Sequence, residues 1–244
     1  MAVSFRAVDA DRNQELERVV TLRPYWPRIL HGDWGFDHFS AFYLTATDGD
    51  NYYTYREYIT NHKTAPELAH GILEMIPEQN ERKMVKTFYM GPDVFAKKTS
   101  DRTVAIEIDS VLTPHGFGFS GITPAAAGPG DRVLRWSFCY QLLKSGKHKI
   151  SPDCPELIKA IPAAVRDYPL KGEDCKKTSD VWDDCRDAWG MGLYTSSLSP
   201  RLPIELEAAK LVTVPMSNLT GRALQYREAM QDVRRRRSGM SFGR

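Results

Sequence analysis

Apolar and polar residues change period several times along the chain, and each change marks an element. Arg28 to Trp34 is a short apolar run closed by Gly35, with a single acid, Asp33, at the end where a strand leaves its sheet. Ser40 to Thr47 is rich in aromatic and β-branched residues, and Asp48-Gly49-Asp50-Asn51 supplies a tight turn because Gly and Asn accept positive φ. Tyr52 to Ile59 alternates as the returning strand. From Thr64 to Ile76 the period becomes helical, with Leu68, Ile72, Leu73 and Ile76 on one face, Thr64 able to cap, Pro66 in the first turn and Glu67 completing a capping box. Val85 to Met90 returns to a strand. Thr103 to Leu112 and Pro129 to Lys144 read as helices, and Phe117 to Phe119 as a short strand. Residues 1–27 are polar until Pro24 and Pro27, which predicts a linker with one short helix around Asn13 to Val20.

The densest chemistry lies further on, in Ser179-Asp180-Val181-Trp182-Asp183-Asp184-Cys185-Arg186-Asp187-Ala188-Trp189. Residues three, four and seven apart share a helical face, so Asp180, Asp184 and Asp187 stack, with Asp183 at the edge. Trp182, Ala188, Trp189 and Leu193 make the same helix substantially buried. Like charges at this spacing repel, so something cationic should offset them. Asp33 carries two readings from its residues alone: a turn-forming Asp beside a Gly, or a carboxylate placed to work.

Composition narrows the class. The chain has 244 residues with 33 Lys and Arg against 31 Asp and Glu, a net charge of +2, so any polyanion surface must come from local clustering. Its four cysteines have no zinc-ligand spacing. It also lacks a Gly-x-x-x-x-Gly-Lys-Ser/Thr phosphate loop, a signal peptide and any apolar run long enough to span a bilayer. These features predict a soluble intracellular protein with no ATPase motor in this chain.

Asp33-Trp34-Gly35-Phe36, the strand after it, the Asp-Gly turn, Tyr53-Thr54-Tyr55-Arg56-Glu57-Tyr58 and the helix opening Thr64-Ala65-Pro66-Glu67-Leu68-Ala69 resemble the start of the nuclease domain of a tailed-bacteriophage terminase large subunit. The Ala125 to Val133 segment, Asp153-Cys154-Pro155 and Asp183-Asp184-x-x-Asp187-Ala188 continue that resemblance to about Tyr194. The resemblance implies an α/β, ribonuclease H-like mixed sheet flanked by helices over residues 28–194, between an N-terminal extension (1–27) and a C-terminal extension (195–244) with a basic tail. It implies a metal-dependent endonuclease that cuts double-stranded, concatemeric viral DNA by two-metal-ion hydrolysis. The expected ligands are Asp33 as bridge, Asp184 and Asp187 from the closing helix, Asp183 at its edge, and Asp93. A site made only of carboxylates prefers Mg²⁺ or Mn²⁺, two ions per site. The family usually has an acid where Gly91 stands here, so Asp93 either reaches the metals from the loop or only caps the next segment.

Arg132 and Arg135 become candidate phosphate contacts. The run Arg234, Arg235, Arg236 and Arg237 is a plain basic tail, a source of DNA affinity or a portal-docking segment. The implied partners are double-stranded DNA, the portal protein, the small terminase subunit and an ATPase motor domain, in the cytoplasm of an infected host cell, with no membrane. A different ribonuclease H-like nuclease of the resolvase or integrase type, or a non-catalytic DNA-packaging module, would share the acids.

Overall fold

The computed structural model describes residues 3–9, 14–96, 102–167, 175–178 and 180–198. All of them belong to one unit, Met1–Arg201. Its strands are β1 (Val3–Asp9), β2 (Gln14–Leu22), β3 (Arg28–Asp33), β4 (Ser40–Thr47), β5 (Tyr52–Thr60), β6 (Val85–Met90), β7 (Ile122–Pro124) and β8 (His148–Ile150). Its helices are α1 (Ala65–Met75), α2 (Gln79–Met84), α3 (Val104–Leu112), α4 (Asp131–Lys144), α5 (Pro155–Ala160) and α6 (Val181–Leu198).

The eight strands form one mixed sheet in the order β2-β1-β8-β5-β4-β3-β6-β7. β3, β4 and β5 make an antiparallel meander, while β6 runs parallel to β3 and β8 parallel to β5. The hairpin forms because Asp48 gathers the backbone N–H groups of Asp50 and Asn51 at 3.0 and 2.7 Å, and Gly49 takes a φ of +98°. β4 is buried along its whole length, since both faces of the sheet are covered. Leu30, Phe42, Leu44 and Tyr55 face a core shared with α1 and α3. Ile29, Ala41, Tyr43 and Ile150 face a second core with α4, α5 and α6. Helix α1 starts as expected, with Glu67 accepting the Thr64 backbone N–H at 2.8 Å.

Two sequence expectations fail. Residues 14–22 are not helical: they form β2, antiparallel to β1, and Phe5, Ala7 and Leu22 enter the first core. Leu16, Val19 and Val20 satisfy a helical period, but pairing with a distant strand overrides it. Phe117 to Phe119 is a loop whose two rings meet at a 40° tilt with centroids 5.1 Å apart, and the edge strand is Ile122–Pro124. Among the described residues no helix is long and apolar enough to cross a membrane. Gly221 to Val233, which reads as helical in the sequence, and the Arg234–Arg237 run lie outside the described residues.

Candidate active site

Parallel pairing of β3 and β6 places Gly32 opposite Met90, so Asp33 and Gly91 leave the sheet side by side at its carboxyl edge. In open α/β sheets that edge is where ligands bind. Asp33 is half-buried, and its Oδ1 accepts the Trp34 backbone N–H at 3.1 Å. The same oxygen lies 2.5 Å from where a Cβ on Gly91 would stand, so the missing side chain at 91 is the space that the Asp33 carboxylate fills. Asp93 follows in a 3₁₀ turn, Pro92–Phe95, and is exposed.

Helix α6 crosses this edge. Asp180 accepts the Asp183 backbone N–H at 3.0 Å and thereby caps the helix, which explains one member of the acidic face. Asp184 Oδ2 accepts the Phe39 backbone N–H at 3.1 Å, tying α6 to the loop between β3 and β4. Asp187 Oδ1 meets Arg135 Nη2 at 2.9 Å, an ion pair whose side chains are only 14% and 8% exposed. Asp183 turns to Arg186 at 3.3 Å and is buried with it. The cations predicted to offset the acidic helix are therefore the chain's own, and they take two acids of the group. Among the described residues no Lys or Arg pairs with Asp33, Asp93 or Asp184.

The electrostatics follow. Burial, then the charges of Asp187, Asp184 and Asp93, push the Asp33 carboxyl up to about 7, against a single backbone hydrogen bond that lowers it. Burial also raises Asp184, with Asp183 and Asp187 adding to it. Like charges gathered in a half-dry crevice create a demand for positive charge, and an all-oxygen donor set suits a hard divalent cation. In donor chemistry the residues fit such an ion. Among the described residues, however, no three of them converge on one point closely enough to hold it, and Asp184 and Asp187 each give one oxygen to a protein donor.

Three sequence expectations change here. Arg135 is 7% exposed and bonded to Asp187, so it braces a carboxylate rather than meeting a phosphate. Arg132 is half-buried and donates to the Cys175 carbonyl at 3.1 Å. Asp183 faces Arg186, outside the group that acts on Asp33. Glu57 on β5 lies outside the site and accepts the N–H groups of Glu156 and Leu157 at 2.9 and 3.1 Å, capping α5. Arginine at 135 is an ordinary helix residue in the sequence, and only the packing of α4 on α6 shows its role.

No protein-family model and no curated protein matches the chain in sequence. Solved structures do match in fold. The P22 large terminase nuclease domain superposes with a TM-score of 0.52 at 17% identity, covering 75% of this chain and 87% of that one. This is the terminase nuclease fold. The large terminase of a thermophilic bacteriophage, in complex with ATP-gamma-S, superposes with a TM-score of 0.56 at 18% identity. The match covers 81% of this chain and 47% of that one, so the chain spans about half the length of the thermophilic phage protein. The mixed sheet flanked by helices is thus the ribonuclease H-like arrangement of terminase nucleases, and Asp33, Asp184 and Asp187 gather at the carboxyl edge of its sheet.

Proposed function

We propose that the chain is a divalent-metal-dependent endonuclease that cuts double-stranded viral DNA during genome packaging. The observation that carries this reading is Asp33: a half-buried carboxylate at the sheet's carboxyl edge, pressed by three other acids and matched by no lysine or arginine among the described residues. A side chain so placed is poised to take Mg²⁺ or Mn²⁺ rather than to form an ion pair. Asp33, Asp184 and Asp187 would hold the ions, and exposed Asp93 would turn in to complete the ligand set. Bound there, the ions supply a lowered pKa for water and charge stabilisation for the leaving 3′ oxygen. The chain's own part is to fix the acids. Arg135 keeps Asp187 aimed by one oxygen, the Phe39 N–H does the same for Asp184, and Gly91 leaves Asp33 its room.

DNA positioning on this reading comes from phosphate contacts and needs no base readout. An ATPase motor, the small terminase subunit and the portal protein would act beside this domain in the host cytoplasm. In Mn²⁺ the purified chain should nick and linearise supercoiled plasmid, do neither in EDTA, and show no preference for a four-way junction. Binding without cutting would make it a packaging module, and selective cutting of the junction would make it a resolvase-type enzyme.

We assign the basic run Arg234 to Arg237 to non-specific DNA affinity. Each phosphate contact contributes about 0.9 to the slope of log affinity against log salt, so deleting the run should lower that slope by up to ~4. An unchanged slope in a fluorescence-anisotropy titration would assign the tail to a protein partner.

A further inference from the structure

Beneath α6 the second core holds a line of polar groups in otherwise apolar surroundings. His31 on β3, Thr45 on β4 and Thr54 on β5 have no exposed surface, and His148 on β8 is 5% exposed. They touch in series: His31 Nε2 and Thr45 Oγ1 at 2.9 Å, Thr45 Oγ1 and Thr54 Oγ1 at 2.8 Å, Thr54 Oγ1 and His148 Nε2 at 2.9 Å. At the other end His31 Nδ1 lies 3.2 Å from the Ala188 carbonyl of α6.

Proton counting gives the line a direction. A carbonyl only accepts, so Nδ1 of His31 carries the hydrogen, and a neutral ring then offers a bare Nε2. Thr45 must donate to that nitrogen, which leaves the hydrogen between the two hydroxyls to Thr54. With that hydrogen spent, His148 Nε2 donates to Thr54. The remaining nitrogen of His148, Nδ1, is buried without a partner, which costs less for a bare nitrogen than for an N–H and so suits a ring whose single hydrogen is on Nε2. Trp189 Nε1 approaches His148 Nε2 at 3.4 Å, the longest contact of the line, and it is the one contact that the direction set at Ala188 gives up.

We infer that His31 is a positioning residue for the acidic site: the Ala188 carbonyl selects the Nδ1–H form of its ring, a line of hydrogen bonds across four strands supports that form from Nε2, and the N–H clamps α6 at Ala188. The inference rests on the nuclease reading for its functional meaning. Asp184, Ala188 and Gly192 are four residues apart and form one stripe of the helix. A Cβ on Gly192 would overlap Cγ and Cβ of His31, so the helix lies directly on the histidine with only hydrogen between. The clamp thus sets both the height and the rotation of α6 over β3, two residues before Asp33. One residue of slip along the helix moves Asp184 and Asp187 by about 1.5 Å and turns them away from Asp33.

The test has two parts on the full chain. Two-bond proton–nitrogen spectra of ¹⁵N-histidine-labelled protein, free of metal and DNA, should show His31 as a neutral ring protonated at Nδ1. A ring protonated at Nε2, or one averaging between forms, overturns the inference. Thr45→Val keeps the shape and removes the donor, whereas Thr45→Ser keeps the donor. Calorimetric titration with Mn²⁺ should show affinity about tenfold weaker in the Val variant and within about twofold of normal in the Ser variant, the scale of losing a group that orients a metal ligand. Equal losses in both, or an undiminished affinity in a folded Val variant, also overturn it. The ring form is read on the unaltered chain, so it decides the inference even where a variant fails to fold. An Nδ1–H ring in a chain that takes up no Mn²⁺ upholds the clamp and overturns the nuclease reading instead.

Discussion

Asp33→Asn should abolish plasmid cleavage in Mn²⁺, by about 10³-fold or more, while making the metal-free protein more stable above pH 7. On the proposed reading the loss follows from removing a negative ligand of the metal site, since charge stabilisation by a catalytic metal contributes several kcal/mol and each 1.36 kcal/mol is tenfold in rate. The gain in stability follows from the raised carboxyl. Its ordinary value is 3.8 and its folded value about 7, so the folded chain holds the proton more tightly than the unfolded chain does. Below 3.8 both forms are protonated and no cost arises. Between 3.8 and 7 the unfolded carboxyl ionises first and stability declines, and above 7 the folded chain carries the full cost of the buried charge.

The shift corresponds to roughly 4 kcal/mol at most. Asp33 is half-buried, and solvent screening brings the expected figure to about 2 kcal/mol. Asn carries no such cost, so at pH 8 the variant should melt about 4 to 8 °C above the unaltered chain, a gap that closes toward pH 4. Melting curves in EDTA at both pH values test the electrostatic effect, and plasmid cleavage tests the catalytic one. An Asn variant that cuts at the normal rate ends the nuclease assignment.

Much of this geometry was legible in the sequence where the signal was local. The run from Arg28 to Tyr58 announces three strands because its turn residues and alternation agree. The capping box at Thr64 is read from four residues, and the acids of α6 from helical spacing alone. The hairpin of β1 and β2 was not legible, since Leu16, Val19 and Val20 fit a helix until a partner strand is known. Arg135 failed in the same way: nothing in α4 tells a phosphate-binding arginine from one that braces a carboxylate 52 residues later. Spacing places Asp183 with Asp184 and Asp187, but one step around the helix turns it toward Arg186. The sequence read as a terminase nuclease has Gly91 as a missing ligand, whereas its position against Asp33 gives it a steric role.

Gly91→Ala tests that role, and cleavage should fall by about 10²-fold with little change in folding stability. The backbone at Gly91 has φ −52° and ψ 151°, which alanine adopts without strain. Such a replacement gains ~0.4–1 kcal/mol by restricting the unfolded chain, and overpacking a tight site costs ~1–3 kcal/mol, so the two nearly offset. The steric effect on the carboxylate has no such compensation. The new Cβ would lie 2.5 Å from Asp33 Oδ1 with the Met191 Cε at 3.7 Å behind it, so Asp33 must swing out of the crevice. A displacement near 1 Å at a reacting centre costs on the order of 10²-fold in rate.

Gly91→Asp restores the acid usual in terminase nucleases but carries the same Cβ and adds a fifth carboxylate to Asp33, Asp93, Asp184 and Asp187, so it should be as inactive as the alanine variant. Initial rates of plasmid linearisation in Mn²⁺, read beside melting temperatures, separate the outcomes. If the Asp variant cuts as fast as the unaltered chain, position 91 is a vacant ligand site after all, and Asp93 has no part in holding metal.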